Sequence, residues 1–228
     1  MVPLLYVGLF LQLGATPAAQ SGPTCPTTAE VESRHRQEAR LANIAIDRNI
    51  LRSFPVWDQK KGQLRTATAA QNMDDSTQVL IVHLWATWCS PCKEEFPIWR
   101  EVTARLNEQH HGRVRVFHVA MQNEPEQMAD FVKQLGSQVP FGAKYFDRGE
   151  RLTKNLQTAL GNKRQPPLPM TLWLDHERIV RHAIVGPISK RITEVVDVTA
   201  QLLRVISLQE QGALGRPATD DPADVFSP

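Results

Sequence analysis

The sequence has little net charge, few cysteines and few long apolar runs, and each of these features restricts the classes of protein to which it can belong. Its 228 residues include 26 basic and 24 acidic side chains, so the net charge of +2 argues against a dedicated nucleic-acid surface. A basic cluster at Arg34, His35, Arg36 and Arg40 is interleaved with glutamates, which is typical of a solvated helix face. The sequence also lacks internal repeats and glycine-rich phosphate loops.

The apolar run near the N-terminus is too short to cross a bilayer comfortably as a mature helix. It extends from Leu4 to Ala15, and small residues follow it at positions 16–20, as expected before a signal-cleavage site. We therefore interpret residues 1–19 as a secretory signal peptide. The expected location is periplasmic or otherwise extracytoplasmic, with little or no membrane contact after cleavage. No lysine or arginine precedes the run, so an uncleaved anchor and a misassigned start codon are alternatives.

Three cysteines are an odd number, and two of them stand three residues apart. Cys89 and Cys92 follow a buried-strand pattern at Val79–Trp85 and open a helix-like segment in which Pro91 suits the first turn. Residues three apart on a helix share a face, so the two sulfurs would lie within disulfide reach. Cys25 would then be left over, as an exposed free thiol or an intermolecular link.

The position of Cys89 at a helix N-terminus favours a reactive thiol. Unpaired backbone N–H groups, the helix dipole and Lys93 would stabilise a thiolate, so we expect a pKa for Cys89 below that of a free cysteine. Cys89 is predicted to be the nucleophile, and the deeper Cys92 to resolve the mixed disulfide. The alternative is a zinc site. It would need a second ligand pair, and His110 and His111 are adjacent instead of roughly three to five residues apart.

The stretch from Trp85 to Pro97, Trp-Ala-Thr-Trp-Cys-Ser-Pro-Cys-Lys-Glu-Glu-Phe-Pro, resembles the active-site signature of the thioredoxin superfamily. It is most similar to the TlpA-like, extracytoplasmic thiol-disulfide oxidoreductases, and the resemblance extends from about Phe54 to about Leu203. It implies an α/β thioredoxin fold, with a central mixed sheet flanked by helices. It also implies a cis-proline opposite the dithiol, for which Pro169 is the candidate.

Two ionisable residues near the dithiol have predicted roles. Glu95 stands at the acidic position of the family signature, where a carboxylate can raise a cysteine pKa and relay protons; an acid that only favours the helix dipole is the alternative. His83 stands where ordinary thioredoxins have a buried aspartate. Because imidazole titrates near neutrality, we hypothesise that His83 accepts the proton of Cys92 during resolution; a satisfied core histidine is the alternative.

Substrate contacts are expected on both sides of the dithiol. The backbone of Pro169 would offer an edge-strand-like hydrogen bond to an extended substrate chain. Met170 replaces the threonine common in the family, which would make the substrate surface softer and more apolar. The predicted contact residues are Trp88, Ser90, Pro91, Leu168, Pro169 and Met170.

An extension is predicted before the family core. A capping box at Thr27 and Glu30 predicts a helix that continues towards Ser53. We therefore assign residues 20–53 to an N-terminal helical extension. It either packs on the sheet or serves as a docking or dimerising element.

The core and the tail follow this extension. Residues 54–205 are assigned to the thioredoxin-like domain, with an insertion between Gly136 and Pro167 before the cis-proline strand. Ser189 is predicted to cap the last helix. Residues 206–228 are polar and lack periodicity, so we predict a disordered tail.

These observations predict a protein-disulfide oxidoreductase that needs no cofactor. The resemblance implies reduction of disulfides in extracytoplasmic proteins, with a membrane-embedded thiol carrier as the expected electron donor. Two other interpretations stay open. In one, Cys89 and Cys92 hold Cu(I) together with His83 or Met170. In the other, the chain is a redox-silent binding module of an envelope assembly.

Overall fold

One mixed sheet with helices on both faces organises the described part of the chain. The computed structural model describes residues 27–52, 54–58, 63–65, 77–121, 124–135, 145–147, 150–161 and 163–212. The strands are β1 (Val56–Asp58), β2 (Gln63–Arg65), β3 (Val79–Trp85), β4 (Val114–Ala120), β5 (Tyr145–Phe146), β6 (Met170–Leu174) and β7 (Val180–Val185). The helices are α1 (Thr28–Leu41), α2 (Arg48–Arg52), α3 (Ser90–Glu94), α4 (Phe96–His110), α5 (Pro125–Leu135), α6 (Arg151–Leu160) and α7 (Ile192–Glu210).

The strands are arranged in the order β2-β1-β5-β4-β3-β6-β7. The central strand β3 pairs in parallel with β4 and antiparallel with β6. Every residue of β3 is buried, which explains its almost continuous apolar run, because a strand covered on both faces has no solvent side. The predicted α/β fold with a central mixed sheet is confirmed.

The helix after the dithiol is broken, although its sequence predicts one continuous helix. The first piece, α3, ends at Glu94, and α4 begins at Phe96. Pro97 explains the break, because proline has no N–H to donate and its ring would clash with the carbonyl of Lys93 in an uninterrupted helix. Glu95 therefore stands at the junction, where its side chain is only 1% exposed.

The N-terminal extension contains two helices instead of the single one predicted towards Ser53. The capping box at Thr27 and Glu30 is present, and α1 ends at Leu41. The chain then turns through Asn43, whose φ is +66°, and runs beside the end of β7. There the N–H of Ile46 donates to the carbonyl of Arg178, and the N–H of Val180 donates to the carbonyl of Ile44. This pairing with the sheet edge takes the backbone groups that a longer helix would have used.

The last helix differs from its prediction at both ends. Arg191, and not Ser189, occupies the N-cap position of α7. The helix continues to Glu210, with Ile206 buried, so residues 206–210 belong to a helix and not to the predicted disordered tail. Residues 213–228, the predicted signal peptide and Cys25 lie outside the described residues. None of the helices in the described ranges is long and apolar enough to cross a membrane.

The described residues form three hydrophobic clusters, one of which contains the two cysteines together with Trp85 and Phe96. One face of the sheet packs against α1, α2 and α6 through a hydrophobic cluster that includes Leu80, Val82 and Leu172. The opposite face packs against α4 and α7 around Ile81, Trp99 and Trp173. The dithiol lies at the end of this second face, so the side chains of β3 that point there are the ones that approach the cysteines.

Candidate active site

The dithiol forms a disulfide at the point where β3 leads into α3. Cys89 and Cys92 are joined, with their Cα atoms 5.3 Å apart. Cys89 is the N-cap residue, and its Sγ accepts a hydrogen bond from the backbone N–H of Cys92 at 3.3 Å. The same N–H can stabilise negative charge on that sulfur once the disulfide opens.

Exposure distinguishes the two cysteines. Cys89 is 5% exposed, whereas Cys92 is completely buried. Trp88 is 56% exposed beside Cys89, and Ser90 and Pro91 are exposed as well. A partner molecule can therefore approach from the side of Cys89, next to an exposed indole ring that offers an apolar contact.

The predicted cis-proline is confirmed. The peptide bond between Leu168 and Pro169 is cis, and the carbonyl of Pro169 accepts a hydrogen bond from the N–H of Gly186 at 2.8 Å. Leu168 and Pro169 line a groove that Pro91 also lines, so the cis-proline loop and the dithiol helix share one surface.

Met170 does not line this surface, in contrast to its prediction. Its side chain is completely buried in the apolar core that packs against α1 and α6. Met170 is the first residue of β6, opposite Leu84 of β3, and residues paired directly across strands point to the same face. Its thioether is therefore part of the core and offers no substrate contact.

A row of buried polar side chains crosses the face of the sheet beneath α4. His83 in β3 is paired with His118 in β4 and with Thr171 in β6, and all three are completely buried. Nδ1 of His83 lies 2.9 Å from Nδ1 of His118. Trp99 of α4 covers both imidazoles, with ring centroids at 4.9 Å from His83 and 5.4 Å from His118.

Glu95 reaches this row from the break between α3 and α4. Its Oε2 lies 3.5 Å from Nε2 of His83, and its Oε1 accepts a hydrogen bond from the backbone N–H of Ile188. The structure therefore brings together Glu95 and His83, the two ionisable residues singled out in the sequence. Glu95 stands three residues after Cys92 in the sequence.

The contact between the two imidazoles leaves two possible arrangements of their protons. A hydrogen bond between two Nδ1 atoms requires that one ring carries a proton there and the other does not. If His118 donates, the neutral ring of His83 carries its proton on Nε2 and can offer it to the Glu95 carboxylate. If His83 donates, its Nε2 is bare and can accept from a protonated Glu95. The pair can thus accommodate either protonation state of Glu95.

Burial shifts the pKa values of these groups towards their neutral forms. It raises the pKa of Glu95 to about 7, against the opposing effect of the Ile188 N–H, which favours the carboxylate. It lowers the pKa of His83 to about 3. Burial, with His83 as a second cause, also holds the pKa of His118 well below its ordinary value. At neutral pH both imidazoles are uncharged, and Glu95 is the group that can gain or lose a proton.

Sequence reasoning did not single out His118. It lies in an alternating strand pattern at Val114–Ala120 that looks like an ordinary half-buried strand. The structure shows that β3 and β4 pair in parallel, and their register places His118 directly beside His83. Register cannot be deduced from either strand alone.

The geometry gives no support to the copper interpretation. Among the described residues, no three His, Cys, Asp or Glu side chains are grouped as a metal site. Both ring nitrogens of His83 already face protein groups, one in His118 and the other in Glu95. Met170, the other proposed ligand, is part of the core on the opposite face.

The mixed sheet, the Cys-x-x-Cys disulfide between strand and helix, and the cis-proline before the neighbouring strand together define a thioredoxin-fold protein. The chain belongs to the Redoxin family, whose profile matches residues 59–202. This assignment confirms the thioredoxin-superfamily resemblance predicted from the dithiol segment.

The sequence identity of the chain to individual proteins is low. The chain is 24% identical over 115 residues to the thiol-disulfide oxidoreductase ResA of Bacillus anthracis, which covers 50% of this chain and 59% of that protein. It is 30% identical over 64 residues to thioredoxin 1 of a Nostoc species, covering 28% of this chain and 56% of that protein. Among solved structures, StoA from Bacillus subtilis has a TM-score of 0.42 and 20% identity, covering 54% of this chain and 82% of that one. The chain thus matches less than two thirds of the curated relatives' length.

Proposed function

We propose that the protein is a thiol-disulfide oxidoreductase that reduces disulfides in extracytoplasmic protein partners. The observation that carries this proposal is the Cys89–Cys92 disulfide, with Cys89 at a helix N-cap and a cis-proline on the same surface. Membership of the Redoxin family and similarity to ResA support it. The apolar stretch at Leu4–Ala15 supports the location outside the cytoplasm.

The reaction begins with the reduced protein. The Cys89 thiolate attacks one sulfur of the partner's disulfide, that S–S bond breaks, and the departing partner thiolate takes up a proton. Cys92 then loses its proton and attacks Cys89. The mixed disulfide breaks, Cys89 and Cys92 are oxidised to the disulfide, and the second partner sulfur leaves as a thiol. Two electrons pass from the protein to its partner.

We propose that Glu95, which is buried three residues after Cys92, accepts the proton of that cysteine. A general base is most effective when its pKa lies near the working pH, and burial brings the pKa of Glu95 to about 7. His83, with a pKa of about 3, is a weak base in this environment, so its proposed role changes. Its Nε2 faces the carboxylate at 3.5 Å without a hydrogen bond in this structure, and we propose that it adapts to the protonation of Glu95 by changing tautomer with His118.

Reduction of partners consumes the dithiol, so a second reaction must restore it. A dithiol carrier is the chemical class that can do so, by the same exchange run in the opposite sense. We propose a membrane-embedded thiol carrier as that donor. The reduction potential of the Cys89–Cys92 couple tests the direction: a value near about −270 mV supports a reductant, and one near about −120 mV would make the protein an oxidant.

The proposal is tested by mixing the reduced protein with a disulfide-containing protein substrate and counting the thiols released per mole. The native protein should release up to two substrate thiols, and Cys89→Ser should release none. Cys92→Ala should stop at the mixed disulfide, visible as a covalent adduct by mass spectrometry. A native protein that releases no thiols above buffer, or a Cys89→Ser variant as active as the native protein, would overturn the proposal.

A further inference from the structure

A groove of about 460 Å³ reaches the dithiol helix at Pro91, between the two cysteines in sequence, and one of its walls comes from outside the family core. That wall is α1, whereas the Redoxin match begins only at residue 59. The opposite wall comprises Pro91 of α3, the cis-proline loop at 167–169 and the β7 end at 185–187. A substrate chain that reaches Cys89 along the cis-proline would therefore touch α1 as well.

The helix presents one regular stripe of side chains to this groove. The lining residues of α1 are Glu30, Ser33, Arg34 and Gln37, spaced as neighbours on a single helix face. All four are polar, while the facing wall is rich in proline, leucine and valine side chains. The groove thus offers apolar contact on one side and hydrogen-bonding or charged groups on the other.

The position of α1 is fixed by contacts with the sheet and the last helix. Oε1 of Glu38 accepts a hydrogen bond from the N–H of Val185 at 2.9 Å and forms an ion pair with Arg191 at 2.6 Å. Nη1 of Arg40 donates to the carbonyl of Leu160 at 2.9 Å. These contacts hold the helix against β7 and α6, so its groove-facing stripe has a defined place.

The two charged side chains in the stripe have opposite signs and interact, since the pKa of Glu30 is lowered by hydrogen bonds with Thr27 and also by the charge of Arg34; Arg34 is the one that can attract an acidic group. Glu30 already accepts hydrogen bonds from the backbone N and from Oγ1 of Thr27, at 2.7 and 3.1 Å, as the acid of the capping box. The Arg34 guanidinium lies over Gly186, where an added Cβ would be 3.6 Å from its Nη1. Gly186 in turn bonds to the Pro169 carbonyl, so the cation stands beside the cis-proline loop.

We propose that α1 is a substrate-selecting wall, and that Arg34 favours extended polypeptide segments with an acidic side chain close to their reactive cysteine. This inference rests on the proposed function and adds a substrate class to it. The apolar wall can contact an extended substrate chain, and the guanidinium opposite it can pair with an acidic side chain of that substrate. The basic cluster expected to be a solvated helix face therefore contains one residue that faces the groove.

The test measures how fast Cys89 captures peptides of different charge. The protein is the reduced Cys92→Ala variant, and each peptide has one cysteine activated as a 2-thiopyridyl disulfide. The Cys89 thiolate attacks the peptide sulfur, the bond to the pyridyl sulfur breaks, and the departing pyridinethiolate is protonated and measured by absorbance. Glutamate, glutamine or lysine is placed in turn at each position on either side of the cysteine.

We expect glutamate at one or two of these positions to raise the capture rate about three- to fivefold over glutamine at low salt, as for an exposed ion pair. Added salt should reduce that preference. Arg34→Gln should bring the ratio of the two rates to about one, and Arg34→Glu should shift the preference to lysine. Arg36→Gln is the matched control, because Arg36 lies on another face of α1 and pairs with Glu32, and it should keep the native ratio.

The experiment distinguishes failure of the oxidoreductase proposal from failure of the proposed role of Arg34. If Cys89 captures the glutamine peptide no faster than a free cysteine does, the oxidoreductase proposal fails and this inference fails with it. If capture is fast but the charge ratio is the same in the Arg34 variants and in Arg36→Gln, the oxidoreductase proposal stands and the role of Arg34 is overturned.

Discussion

The two faces of the central strands are equally well buried but contain different chemistry. On the side of α1 and α6, the fully buried side chains of β3, β4 and β6 are all apolar. On the side of α4 and α7, the same strands contribute His83, His118 and Thr171 in one row. Glu95 completes that row from the helix break, and the dithiol lies at the end of the same face.

The difference indicates that the face towards α1 and α6 contributes to stability alone, whereas the face towards α4 and α7 has a further role. Burying polar groups costs free energy unless each one is paired, and an apolar core of the same volume avoids that cost. The buried His83, His118 and Glu95 on the face next to the cysteines therefore need an explanation besides packing, and we propose proton transfer. Variants on the two faces should behave differently, both in size and in their dependence on pH.

The largest expected effect is on the apolar face. Leu172→Ala removes a completely buried side chain and should lower the free energy of unfolding by about 2–5 kcal/mol. The loss should be the same at acidic and at slightly alkaline pH, because the cluster contains no histidine, carboxylate, lysine or arginine. Urea unfolding at two pH values measures both quantities. A loss that changes with pH would contradict the separation of the two faces.

Glu95→Gln should change the pH dependence of stability. The pKa of Glu95 is about 7 when folded and 4.5 in its unperturbed state, so folding favours the protonated acid. Its contribution is fully present below pH 4.5 and is lost as pH rises through about 7. The variant should therefore gain about 3 kcal/mol relative to the native protein across this window.

His83 and His118 act in the opposite sense in the same experiment. Their pKa values are lowered, so their neutral forms stabilise the fold as pH rises towards 6.5. Because both proteins contain these histidines, the difference between the two unfolding curves isolates Glu95. A difference that stays constant with pH would mean that Glu95 is already ionised in the folded protein.

The histidine pair should show strong coupling. His118→Leu leaves Nδ1 of His83 buried without its partner, which should cost about 1–3 kcal/mol. The double variant His83→Leu and His118→Leu removes both polar groups and should recover part of that loss. A double-mutant cycle from urea unfolding gives the coupling energy. Additive losses would show that the 2.9 Å contact contributes nothing.

The smallest effect is expected at Thr171. Its Oγ1 is buried without a hydrogen-bond partner in the described part of the chain. Thr171→Val keeps the shape and removes the unpaired hydroxyl, so stability should rise by up to about 1 kcal/mol. Thermal unfolding measures the change. A clear loss of stability would reveal a hydrogen bond to the hydroxyl and would contradict this prediction for Thr171.

The sequence predicted those features that depend on local patterns. The apolar run at Val79–Trp85 and the position of Cys89 at a helix N-terminus follow from neighbouring residues, and the structure confirms both. The cis bond at Pro169 was implied by the family resemblance of the surrounding motif and is also confirmed. Features that depend on pairing between distant segments were missed. The partnership of His83 with His118 needs the register of two strands, and the end of α1 is set by pairing with β7.

Release of the partner by Cys92 should depend on Glu95 as the proton acceptor. Rapid mixing of the reduced protein with a fluorescent peptide disulfide separates capture by Cys89 from release by Cys92. The rate of the second phase should be followed from about pH 5 to about pH 9. We predict that it rises through about pH 7 in the native protein and loses that step in Glu95→Gln. The same step in both proteins would contradict the account.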